Sequence, residues 1–232
     1  MKFHFYLIII LLTTISSWSQ STGYTAKKEF GFKGNVKKVT TYSMLASPYR
    51  SLLDTTKHYS KNTLYFSKAG DLVKQEQNTD INDYTFLSFI EYKGTGKNIS
   101  YTERYKSNSL PLKKITYKYQ WENALSYKII STEDIAVKAI SLNSDFTIKT
   151  VSFDNSETQT FEEINYEYDE YKNLIATKST LKTTKNNLTT TSEDTHKVQQ
   201  YDVYNNPTVV YYFKDVTSTF PNSIIIKYYE YY

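Results

Sequence analysis

Residues 115–121 read Ile-Thr-Tyr-Lys-Tyr-Gln-Trp, and their alternation decides the fold class. Ile115, Tyr117, Tyr119 and Trp121 fall on one side of an extended chain, with Thr116, Lys118 and Gln120 on the other. That is the period of two of a half-buried β-strand. It returns at Ile99, Tyr101, Glu103 and Tyr105, and again at Ile164, Tyr166 and Tyr168. Antiparallel sheet with one wet face is the expectation. Residues 84–92 and 209–213 are apolar on both faces, which predicts another layer over them. Residues 44–53, interrupted by Pro48, read as a loop or a short helical turn, and no other stretch carries a helical stripe. The Thr- and Asn-rich stretch 180–195 reads as a long hairpin tip or a flexible excursion.

Composition agrees with this reading. The 232 residues include 24 tyrosines and 12 phenylalanines, which favour strands, but only four prolines and six glycines, too few for a disordered linker. The absence of cysteine excludes disulfides, thiolate metal sites and cysteine nucleophiles, so stability rests on packing. A formal charge of +4 is spread over single lysines, without the basic patch of a nucleic-acid binder.

Outward from the opening strand, a repeat appears. Residues 168–173 (YDEYKN) and 201–206 (YDVYNN) share the pattern YDxYxN at a spacing of 33. A looser form places an aromatic or apolar residue four positions before a turn former: Phe66 with Gly70, Tyr92 with Gly96, Tyr119 with Asn123, and a degenerate copy from Leu142. The starts at 66, 92, 119, 142, 168 and 201 are separated by 26, 27, 23, 26 and 33 residues, the length of two strands and two turns. Each unit reads as one β-hairpin. Gly70, Gly96, Asn123 and Asn205 are the expected structural turn positions, because Gly and Asn accept the positive φ that a tight reversal needs. Asp169 and Asp202 are expected to accept backbone N–H bonds within those turns.

This repeat resembles the YD repeat of Rhs-type bacterial proteins, YDxxGN followed by an apolar residue. Residues 66–72 (FSKAGDL) and 168–174 (YDEYKNL) resemble it best, and residues 30–40 (FGFKGNVKKVT) look like the opening of short secreted YD-repeat proteins of Bacteroidetes-like bacteria. The family glycine is replaced by Lys172 and Asn205, and its Asp by Ser67. The chain is too short for the closed shell of long YD arrays. The resemblance therefore implies an all-β antiparallel meander of repeated β-hairpins, forming an extended sheet or small sandwich.

The amino terminus reads as an export signal: Lys2, an apolar run over 3–12, a polar stretch, then Ser17 and Ser19 before a cleavage point. Residues 1–19 are the expected signal peptide and 20–232 a single hairpin-repeat domain. The expected location is periplasmic, outer-envelope or extracellular, and no later segment is apolar enough for a helical span.

Chemistry is sparse. Beyond the signal only His58 and His196 remain, both in polar contexts that read as surface, and no metal-ligand, nucleophile-elbow or phosphate-loop motif occurs. Glu162 and Glu163 point to opposite faces of a strand and so cannot pair for acid–base work. No catalytic centre, cofactor or metal site is expected. The leading expectation is a non-catalytic secreted or envelope protein acting as scaffold or binding surface for a polysaccharide or another envelope protein. Tyr117, Tyr119 and Trp121 read as core, and Tyr211 and Tyr212, on opposite faces of one strand, are the candidate glycan-stacking residues. The alternatives are an outer-membrane β-barrel, for which the aromatic C-terminal strand speaks, and a hydrolase built from distant carboxylates.

Overall fold

In the computed structural model the alternating segments become fourteen antiparallel strands joined up-and-down. The structure describes residues 23–47, 54–133, 137–155, 157–215 and 217–232; the expected signal peptide and residues 48–53 of the expected loop lie outside them, while Met44 and Leu45 of that stretch are strand instead. A short helix, α1 (Ala26–Glu29), precedes β1 (Val36–Leu45), β2 (Ser60–Phe66), β3 (Leu72–Ile81) and β4 (Tyr84–Thr95). Then follow β5 (Asn98–Ser107), β6 (Leu110–Trp121), β7 (Ser126–Ser131), β8 (Val137–Leu142) and β9 (Ile148–Asp154). The chain ends with β10 (Thr158–Tyr168), β11 (Leu174–Lys185), β12 (Leu188–Tyr201), β13 (Pro207–Phe213) and β14 (Ser223–Tyr231). The stretch 180–195 is the β11–β12 hairpin, with Asn186 and Asn187 at φ 50° and 63° in its tip.

The meander of hairpins is as expected, but it has neither the open edges nor the two layers of a sheet or sandwich. β1 pairs with β14 from Val36↔Tyr231 to Leu45↔Ser223, and the sheet closes as a barrel. Closure leaves no unpaired edge and gives the aromatic face a shared interior to fill.

Tyr101 stacks on Tyr117 at 4.7 Å and Tyr119 on Tyr127 at 4.8 Å, so the row Tyr117, Tyr119 and Trp121 belongs to the core. Tyr127 is 1 % exposed, and burying a side chain of this size is worth roughly 1.5–3 kcal/mol. The outer wall is charged, with ion pairs Lys38–Glu230, Lys74–Glu76, Arg104–Glu91 and Lys178–Glu167 at 2.5–2.9 Å. The layer expected over residues 84–92 is absent among the described residues: Phe89 is exposed on the outer wall beside Leu87 and Leu112. On β13 and β14, by contrast, Val209, Ile224 and Ile226 bury outward-facing side chains with Met44.

The repeat has a spatial meaning. Its turns are the β2–β3, β4–β5, β6–β7, β8–β9, β10–β11 and β12–β13 connections, so all six lie on one rim. The left-handed backbone falls at the fifth position of five units: Gly70 (φ 91°), Gly96 (55°), Phe146 (72°), Lys172 (60°) and Asn205 (62°). Asn123 is not among the positive-φ residues; its Oδ1 instead accepts from the Leu125 N–H at 2.8 Å. Asp169 Oδ1 accepts from the Asn173 N–H at 2.7 Å, and Asp202 Oδ1 from the N–H groups of Tyr204 and Asn206, both at 2.9 Å.

Candidate functional site

Residues 23–35 lie across this rim as a partial plug. Thr25 caps α1 by accepting the Lys28 N–H, and Gly31 and Gly34, at φ 69° and 74°, turn the chain back toward β1. Two repeat turns hold the plug in place. The Lys27 N–H donates to Gly70 O at 2.9 Å. Asn206, fully buried, accepts from the Lys33 N–H at 2.7 Å and donates to Lys33 O at 3.0 Å. Asn206 also donates to the Tyr231 hydroxyl, which hydrogen-bonds Asp202.

The deepest tie is Glu29, which is 8 % exposed. Its carboxylate accepts from Tyr24 Oη at 2.5 Å and Tyr127 Oη at 2.7 Å. Burial holds the Glu29 carboxyl above the usual carboxylate range, and the two phenol bonds draw it back only in part. Tyr24 packs edge-on against Trp121 at 4.8 Å and Phe146 at 6.2 Å.

Aromatic packing leaves the opposite half of the lumen unfilled. A cavity of about 450 Å³ lies between β1 and β2 (Thr41, Ser43, Asn62, Leu64), β10 (Glu162, Ile164, Tyr166) and β12 to β14 (His196, Val198, Val210, Ile225, Lys227). Phe30 and Phe32 of the plug cover it, with rings stacked at 5.7 Å. These phenylalanines, Leu174, Pro207 and Lys227 also line a second chamber of about 610 Å³, bordered by the plug and by the turns bearing Asp145, Lys172 and Asn205. Volumes of this order suit small-molecule ligands.

Lys227 stands where the chambers meet. Its strand alternates Ile225, Lys227 and Tyr229 inward with Ile224, Ile226 and Tyr228 outward. It is half-buried in the lumen, and its partial burial lowers its ammonium pKa below the usual lysine range. Its Nζ sits 6.0 Å from the centre of the Phe32 ring, and no carboxylate of the described residues lies within ion-pair distance. His196 is in the lumen too, against Tyr212 at 4.9 Å, and not on the surface as its polar context implied. Burial first, then the charge of Lys227, push its imidazole down to about 4, against a partial counter-effect from Glu162. It is therefore neutral at pH 7. Asp194, 3.7 Å from His196 Nδ1, has its carboxyl pushed up by burial.

The candidate glycan-stacking pair is divided by the wall. Tyr211 packs outward with Met44, Val209, Ile224 and Ile226, Tyr212 inward on His196, and both are half-buried. Glu162 faces the lumen, whereas Glu163 belongs to the opposite face. Sequence reasoning missed Phe30, Phe32, Glu29 and Lys227. A lysine alternating with Ile225 and Tyr229 was the one available sign. No group of three or more His, Cys, Asp or Glu able to hold a metal exists among the described residues. No protein-family model, curated protein or solved structure matches the chain.

Proposed function

We propose that the protein is an exported, water-facing β-barrel that holds a small ligand in its lumen without transforming it. The observation that carries this is the half-empty lumen, a cavity of mixed apolar and polar lining roofed by Phe30 and Phe32 with Lys227 at its waist. Binding thus moves from an outer tyrosine face to the interior. Five repeat turns with left-handed backbone at one position, all on one rim, support kinship with YD-repeat proteins. A barrel is compatible with the envelope location read from the leader.

The test uses N-phenylnaphthylamine, a neutral probe that fluoresces in apolar sites. Saturable binding at one per chain is expected, weakened when Thr41→Phe narrows the cavity of an otherwise folded barrel. Absence of saturable binding, or indifference to Thr41→Phe, would overturn the reading.

A second reading, a barrel set in an outer membrane, is favoured by closure and the even strand number. Against it stand the charged outer rows, since a Lys or Arg facing lipid at mid-depth costs about 2–4 kcal/mol. Carbonate washing separates the two: a water-facing barrel is released from membranes, an embedded one is retained.

A further inference from the structure

We infer that the lumen ligand is a monoanionic amphiphile, with its carboxylate on Lys227 and its apolar chain against Phe30 and Phe32; this rests on the lumen-binding reading. Three observations converge. The first is the missing partner. On the outer wall Lys38, Lys74, Lys128 and Lys178 each hold a carboxylate at 2.5–2.7 Å, where water would have solvated them anyway. Lys227, half-buried inside the barrel between the two chambers, has only the face of Phe32. A cation partly withdrawn from water and without a counter-ion rewards an incoming carboxylate more than a fully solvated surface lysine does.

The second is the field of the entrance. Lys28, Lys33, Lys172 and Lys227 line the rim chamber against Asp145, with Glu162 deeper in the lumen. An excess of ammonium groups around this partly solvent-exposed mouth draws anions and disfavours cations. The third is shape and polarity. Phe30 and Phe32 stack with each other and lie edge-on to Phe66, which fixes an apolar wall beside the charge. A small inorganic anion would leave that wall uncovered, while a neutral hydrocarbon would leave Lys227 unpaired. A ligand with both parts satisfies both.

Dodecanoate, dodecanol and dodecyltrimethylammonium have the same chain and different heads. Their displacement of bound N-phenylnaphthylamine is measured on the wild type, Lys227→Met and Lys227→Arg. On the wild type dodecanoate should bind about tenfold to a hundredfold tighter than dodecanol, the range expected for a charge-assisted hydrogen bond, and the cation weakest. Lys227→Met should bind dodecanol at least as tightly as the wild type and lose the preference for the carboxylate; Lys227→Arg should restore most of it. Retained dodecanol binding shows that the methionine variant is folded. Equal affinity for dodecanoate and dodecanol in the wild type, or a preference surviving in Lys227→Met, overturns the inference and leaves the lumen-binding reading standing. If neither the probe nor any of the three amphiphiles binds, that reading itself falls.

Discussion

Replacing Glu29 tests whether the plug is part of the fold. Glu29→Leu leaves the hydroxyls of Tyr24 and Tyr127 buried without their acceptor, and each stranded phenol costs about 1–3 kcal/mol. Removing a buried carboxylate returns part of that, because desolvating the charge was itself unfavourable. A net loss of about 2–4 kcal/mol follows. Glu29→Gln keeps one acceptor and should stay within about 1 kcal/mol of the wild type. The two variants also differ in pH dependence. The folded-state pKa of Glu29 lies above its unfolded value, so its contribution to stability is full below about 4.5 and is lost as pH rises through the folded pKa. The stability difference between wild type and Glu29→Gln should therefore move in favour of the glutamine as pH increases. Urea unfolding of protein lacking residues 1–19, followed by Trp121 emission, reads this directly, since Trp18 is then absent and Trp121 lies 4.8 Å from Tyr24. A Glu29→Leu midpoint equal to the wild type, or a difference from Glu29→Gln that is flat with pH, would refute the role given to this carboxylate.

Two further predictions concern the rim and the lumen. A Cβ at Gly70 would stand 3.3 Å from both Lys27 Cβ and Thr25 Oγ1, at φ 91°, so Gly70→Val should cost about 1–2 kcal/mol or more, whereas the nearby Lys68→Ala should cost less than about 0.5; equal urea midpoints would remove Gly70 from the plug contact. His196 has a folded pKa near 4 against 6.5 unfolded, so its stabilising contribution is present above 6.5 and lost as pH falls toward 4. With a third of the side chain open to water that loss is about 1–2 kcal/mol. His196→Asn should flatten this part of the pH profile, and an NMR titration placing His196 at its ordinary pKa would contradict its burial.

The strands and the rhythm of the repeat are properties of the local sequence, because side-chain alternation and turn sterics act over a few residues. Ile115 to Trp121 announce a strand wherever they are placed, and a start at Phe66, Leu142, Tyr168 or Tyr201 foretells left-handed backbone four residues on. Even Phe146 and Lys172 obey, although neither residue type favours that conformation. Asn123 departs from this rhythm by closing an Asx turn of its own. Alternation says that two faces differ; it does not say which one is inside. On β13 and β14 both faces are apolar, so Val210 and Ile225 could not be told from Val209 and Ile226 until the neighbouring strands were in place. Closure depends on β1 meeting β14 from opposite ends of the chain, a consequence of curvature accumulated over the whole sheet. Only that closure turns Lys227 and His196 from ordinary polar residues on ordinary strands into the charge and the imidazole of a shared interior. The enclosure that gives them their chemistry is made by strands distant in sequence, and no local pattern encodes it.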